Sequence, residues 1–247
     1  MFVQPIKIPI LIPPHDDLLQ KIQRAKFYLH EGDIVAVTSK VVSIWQGRCV
    51  EKRLVKDKDD LIKKEADYYL DRRVVPGGHI IHTLKENFLI ASAGIDESNG
   101  DGYYILWPLY PHRAARSLQL FFKKKYKVNN LGVIITDSHS MPLRRGVVGF
   151  ALGWAGINPL YDYRKSRDLF GRQLKVTQAN IVDALAAAAV VVMGEGAEQT
   201  PIALIRNVPY LAFKKSTTRR FSSFQVRRTE DLFAPFLNRV PWKRRRT

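Results

Sequence analysis

Three acidic clusters stand where apolar segments are expected to end. Asp96-Glu97-Ser98-Asn99 follows the run Phe88 to Ala91, and Asp137-Ser138 follows Leu131 to Thr136. Glu195, with Glu198, follows the alanine-rich run from Asn180 to Met193. Carboxylates at the ends of buried elements are well placed to converge. Hard cations such as Mg2+ or Mn2+ take a few carboxylates and fill their other positions with phosphate oxygens and water. Any one of these turns alone reads as a loop cap. Three of them in a chain of formal charge +17 raise the reading of a metal–nucleotide site. Lys40, just past an expected strand, stands where a phosphate-binding lysine would; a surface lysine is the other reading. Arg144 and Arg145, after Pro142, are either a clamp for an anionic substrate or exposed charge.

Other chemistries are poorly served. Asp137, Ser138 and His139 have the residue types of a hydrolytic triad, but triads assemble from separated segments. His139 is expected as a polar loop residue or a substrate contact. Gly146, Gly149 and Gly153 fit neither phosphate-loop spacing, and are expected to let strands pack closely. The one cysteine, Cys49, excludes an intrachain disulfide and paired-cysteine zinc sites. Such usage suits a reducing cytoplasm.

The elements that must carry these groups follow from periodicity. Asp16 to Tyr28 has helical spacing, with Asp16 and Asp17 in the first turn. Ile34 to Val37 is a short buried strand ending at Thr38-Ser39-Lys40. Asp57 to Asp71 reads as a solvated helix and Pro76-Gly77-Gly78 as a loop. Arg113 to Tyr126 reads as a basic amphipathic helix. Val147 to Leu152 and Ile202 to Ile205 are further strands. Asn180 to Met193 is apolar on most faces, which predicts a buried helix. Strands and helices mix without strict alternation, so the expected class is α+β with mixed sheets.

The basic charge is uneven. Residues 113–127 hold six basic side chains and no acid, and residues 206–247 hold twelve basic and two acidic ones. A polyanionic partner or simple solubility would each explain this. No helix-turn-helix, zinc-finger, RRM or KH signature is visible. The longest apolar run, Ala184 to Met193, is half of the roughly twenty residues that a membrane helix needs. The segment Met1 to Pro14 carries no signal-peptide pattern.

Taken in order, the motifs resemble one family. Gly32 to Ser43 reads GDIVAVTSKVVS and is followed by Gly47-Arg48. Ala93 to Asn99 reads AGIDESN, and Gly132 to Ser138 reads GVIITDS, with Pro142 and Arg144 beyond. Asp162 to Arg164 and Asp168 to Arg172 (DLFGR) follow, then Asp183 to Ala189, Met193-Gly194-Glu195 and Pro201 to Arg206. Across residues 8–213 this is similar to the coenzyme F420-0:L-glutamate ligase family. The resemblance implies residues 1–213 as a γ-glutamyl ligase domain and 214–247 as a basic extension outside it. It implies an intertwined cytoplasmic homodimer that uses GTP, Mg2+ or Mn2+, and K+ to join L-glutamate to an anionic carboxylate acceptor. F420-0 is the leading acceptor, and the route is an acyl phosphate.

Carried over by position, Asp96 and Asp137 would hold a first metal, and Ser138 and Glu195 would contact a second. Ser39, Lys40 and Asn99 would contact the nucleotide. So would the backbone at Pro9, Ile10, Leu11 and Ile12 and the loop bearing Met193, Gly194, Gly196, Gln199 and Thr200. Arg144 and Arg145 would contact the acceptor. Two departures stand out. Ile44-Trp45 occupies a place where many members have a lysine. His139 to Arg145 replaces an aromatic-containing loop, as in a bacterial branch linked to folate metabolism. A folate or other anionic acceptor is therefore an alternative. From another class, the basic segments with Phe121, Phe122, Tyr126, Phe221 and Phe224 suggest a nucleic-acid-binding protein.

Overall fold

A computed structural model describes residues 1–214 and 224–245. In chain order the elements are β1 (Phe2–Ile6), α1 (Leu18–Arg24), β2 (Ile34–Thr38), α2 (Ser39–Trp45), β3 (Cys49–Glu51), α3 (Lys58–Glu65) and β4 (Tyr68–Tyr69). Next come β5 (His82–Lys85), β6 (Phe88–Ala91), β7 (Tyr103–Ile105), α4 (Pro111–Tyr126), β8 (Gly132–Ser140) and β9 (Val147–Ala155). The last are β10 (Leu160–Asp162), β11 (Gln178–Asn180), α5 (Ile181–Met193), β12 (Ile202–Arg206), α6 (Ala234–Leu237) and β13 (Lys243–Arg244). The class is α+β with mixed sheets, as expected.

The main sheet runs β1-β12-β2-β8-β9, with β2 and β8 parallel and the other pairs antiparallel. Its central strands are apolar on both faces because each face is covered. Side chains alternate across a strand. Val35, Val37, Val133 and Ile135 therefore join one core with Leu118 and Phe122 of α4. Ile34, Ala36, Ile134 and Ala203 join the other core with Leu185, Ala186 and Ala189 of α5. Each fully buried Val, Leu or Ile contributes about 1.5–3 kcal/mol relative to exposure. A second, smaller sheet, β13-β4-β5-β6, packs beside α3 over a separate core that includes Ile62, Ile81 and Ile95.

Several expectations are corrected. Asp17 caps α1, accepting amides from Leu19 and Gln20, and Asp16 lies outside the helix. Helix α3 stops at Glu65, because the chain is taken into β4 at Tyr68. Strand β8 continues through Ser140, paired to β9, so Asp137, Ser138 and His139 lie within a strand rather than a turn. Helix α5 is buried on the sheet side only, and Val191 is 82% exposed. A Cβ on Gly149 would meet Val190 and Ala186 of α5, and one on Gly153 would meet Pro111 and His112. These glycines admit helices to the sheet, not strands to each other.

The described part of the C-terminal segment is attached to the body. β13 pairs with β4, and Phe224 packs edge-on to Trp154 at 4.8 Å. Leu232, Phe233 and Phe236 of that segment are exposed. Phe122 is fully buried and so offers no stacking face for a nucleic acid, and the half-buried Tyr126 packs against Phe27. Phe221 and Arg246 lie outside the described residues. Among the described residues no helix is long and apolar enough to cross a membrane.

One polar cluster ties α3 to the small sheet and to the segment before β3. Glu65 of α3 accepts from Lys85 of β5 and from Arg48, each at 2.8 Å. Burial works against ionisation of Glu65, but the two cations outweigh it and hold its pKa below the ordinary 4.5. A depressed carboxylate pKa adds stability above the unfolded value and loses it as pH falls through the folded one. Glu65→Gln leaves Lys85 buried without its anion and is expected to cost about 3 kcal/mol at pH 7. That gap should narrow below about pH 4.5, as read by urea denaturation at several pH values. A gap that is constant with pH would contradict the ionic role.

Candidate active site

Parallel pairing of β2 and β8 fixes the geometry of the site. Thr38 is in register with Thr136, so the residues that follow each strand position emerge at one end of the sheet. On one side these are Ser39 and Lys40, at the start of α2. On the other are Asp137 and Ser138, in the extension of β8. A register shift between Ile135 and Thr136 leaves Leu152 of β9 unpaired just before this extension. Bulges of this kind commonly re-aim side chains next to sites. A backbone bridge, Asp96 with Ile105, presents the 96–99 turn from the opposite side. The loop after α5 closes the far wall.

These segments enclose a cavity of about 320 Å3, lined among others by Pro9, Ile10, Leu11, Ser39, Lys40, Asp96, Asn99, Asp137, Ser138, Met193, Gly194, Glu195, Gly196, Gln199 and Thr200. Most residues singled out in the sequence thus share one pocket. Ile12 is not among its lining residues and is 58% exposed. Arg144 and Arg145 lie at the exposed tip of the β8–β9 hairpin, away from the lining of their own chain's cavity. His139 is also outside the lining and packs edge-on to Phe150 at 4.9 Å. Ile44, where the resembling family often has lysine, lines the cavity as a buried apolar residue.

Electrostatics distinguish the two central acids. Lys40 Nζ lies 2.7 Å from Asp96 and donates to the Ser98 hydroxyl at 2.9 Å. The Ser98 amide donates to Asp96 at 2.8 Å. Burial raises the Asp96 pKa, but Lys40 and Ser98 outweigh it, and the carboxyl sits below its ordinary value. Asp137 accepts from the Ser138 amide at 2.8 Å, from the Trp107 indole and from Ser39. Among the described residues no lysine or arginine pairs with it. Burial, with the charge of Asp96 adding to it, pushes the Asp137 pKa up to about 6.

A half-buried acid beside a second acid fits a cation. The Thr136 hydroxyl, buried in the cavity wall without a hydrogen-bond partner among the described residues, adds an oxygen donor. Ser138 Oγ donates to Glu195 at 3.4 Å, bringing a third carboxylate to the rim. The three acids do not close on one point: among the described residues no group of three or more His, Cys, Asp or Glu is gathered tightly enough to hold a metal ion. Two carboxylates with hydroxyls suit Mg2+, which binds through one or two carboxylates, substrate phosphates and water.

The 193–200 loop is stitched to its surroundings. Asn99 donates to the Gly196 carbonyl at 3.0 Å, Thr200 to the Met193 carbonyl at 2.6 Å and Gln199 to the Ile8 carbonyl at 3.1 Å. Sequence reasoning missed two groups here, Trp107 and Thr136. No local pattern marks either one, because each acts through contacts made only in the folded chain.

Comparison with known proteins finds relatives over most of the chain. Residues 5–207 match the family described as "F420-0:Gamma-glutamyl ligase". The "Coenzyme F420:L-glutamate ligase" of Methanopyrus kandleri is 36% identical over 223 residues, covering 83% of this chain and 86% of that protein. The protein of the same name from Methanocaldococcus jannaschii is 35% identical over 201 residues, covering 75% and 80%. That from Methanococcus maripaludis strain C6 is 30% identical over 241 residues, covering 92% and 95%. With a match that takes in every residue lining the cavity, the chain belongs to the F420-0:γ-glutamyl ligase family and is an amide-forming ligase.

Proposed function

We propose that this chain is a GTP-dependent ligase that joins the amine of L-glutamate to a carboxylate acceptor, with F420-0 as the first candidate acceptor. The observation that carries the reading is the half-buried Asp137 beside Asp96, in a cavity framed by Lys40 and the 193–200 loop. Asp96 and Asp137 would hold one divalent ion, Mg2+ or Mn2+. Ser138 and Glu195 would contact a second, and K+ belongs to the same expectation. Bound ions would neutralise charge on the β- and γ-phosphates. Lys40, which now balances Asp96, would be released toward the phosphates. Asn99, through Gly196, would hold the loop that covers the nucleotide, and Pro9 to Leu11, Gln199 and Thr200 would frame its remainder.

The covalent steps then need no side-chain nucleophile. An acceptor carboxylate oxygen attacks the γ-phosphorus, the bond to the bridging oxygen breaks, and the nucleoside diphosphate leaves. The glutamate amine attacks the resulting acyl phosphate. The acyl carbon–oxygen bond breaks, phosphate leaves with that electron pair, and the new amide nitrogen loses a proton. The residues supply charge balance and orientation, which are the main forms of catalysis available to such a reaction.

The assembly we propose is an intertwined homodimer in the cytoplasm. Leu143, Leu169, Phe170 and Val191 are each more than 80% exposed, apolar area that a second copy of the chain would cover. The positions of Arg144 and Arg145 support the same reading. An acceptor role for them requires the β8–β9 hairpin to reach a cavity other than its own chain's.

Purified enzyme with glutamate, GTP, Mn2+ and F420-0 should give a product heavier by one glutamyl residue, detected by mass spectrometry. Asp96→Asn and Asp137→Asn should each reduce its formation by roughly a hundredfold or more. If F420-0 is inert and a folate is extended instead, the ligase reading stands and the acceptor is corrected. Unimpaired turnover by both variants would overturn the site.

A further inference from the structure

We propose that Trp107 is a positioning residue for Asp137, and that Lys85 and Glu65 hold its indole in place. The inference rests on the ligase reading above. Trp107 is buried and lines the cavity together with Leu106 and Asp137. Its indole N–H donates to Asp137 Oδ2, while Oδ1 accepts the Ser138 amide at 2.8 Å. One donor on each oxygen fixes the plane of the carboxylate and leaves further lone pairs for a cation. An apolar side chain of similar size would fill the same space but orient nothing.

The indole is itself held. Phe88 packs edge-on to it at 5.7 Å, and the Lys85 ammonium lies 5.6 Å from its ring centroid. Lys85 in turn is fixed by Glu65 at 2.8 Å. Arg48 closes the ring of contacts, donating to the Trp107 carbonyl at 3.2 Å and to Glu65 at 2.8 Å. A glycine is required opposite the donor: a Cβ on Gly94 would lie 2.0 Å from Trp107 Nε1. Gly94 also has φ +70°, which side chains other than glycine rarely adopt. Groups that orient a metal-binding carboxylate in this way typically change metal affinity by about 10–100-fold when removed.

Mn2+ binding to the full chain, with GDP present and no turnover, tests the proposal by electron paramagnetic resonance of free Mn2+. Trp107→Phe keeps an aromatic ring and loses the donor. It should weaken Mn2+ binding by about 10–100-fold while GDP affinity changes little. Lys85→Met keeps the donor but loosens the ring, and should weaken Mn2+ binding to a smaller extent. Mn2+ affinity unchanged in Trp107→Phe overturns the proposal. Asp137→Asn separates the two claims: retained Mn2+ binding there rejects the site reading itself. Should Trp107→Phe fail to fold, the unmodified chain decides. Among its four tryptophan indole N–H resonances, one should resist exchange without metal and shift on adding Mg2+ and GDP; four unmoved signals overturn the proposal.

Discussion

The placement of the Asp137 carboxylate next to Asp96 is the constraint on which the rest of the site depends. Two carboxylates that share a pocket disfavour each other's ionised form, and the pKa of one of them is raised. Here the roles are divided. Asp96 keeps its charge through Lys40 and the Ser98 turn. Asp137 keeps hydrogen-bond donors but gains no cation of its own, and its pKa rises to about 6. A family member that binds a nucleotide through divalent ions would need this imbalance, because a site already neutralised on both acids offers an ion little.

The fold serves that arrangement from several directions. The parallel β2–β8 pair brings Ser39 and Lys40 to the same end as Asp137. The bridge between Asp96 and Ile105 carries in the second acid from a separate segment, and the loop after α5 brings Glu195. The small sheet is joined to these parts through Glu65, Lys85, Arg48 and Trp107. Packing in the small sheet and electrostatics in the cavity are thus coupled by contact, with Trp107 between them.

Much of this was legible in the residues. The strands Ile34–Thr38 and Ile202–Arg206 and the helix Pro111–Tyr126 follow from periodicity, because each has a covered apolar face. The acids were legible as acids after apolar runs. What periodicity could not read was β8 beyond Thr136. Asp137, Ser138 and His139 are polar and look like a turn, and only pairing to β9 across the sheet keeps them extended. Helix α5 looked buried all round because alanine and valine are apolar on every face. One side of it nevertheless has no cover among the described residues, as Val191 shows. Arg144 and Arg145 were placed near the acceptor by their types, whereas the hairpin carries them to an exposed tip. Trp107 was unmarked because its donor matters only once Asp137 is beside it.

The most direct measurement is the anomalous scattering of manganese in crystals grown with Mn2+ and GDP. A peak within bonding distance of both Asp96 and Asp137 is expected, with Lys40 moved off Asp96 toward the phosphates. A manganese site elsewhere, with the Lys40–Asp96 pair intact and Asp137 touching no ion, would contradict the assignment of these two acids as the metal-binding centre.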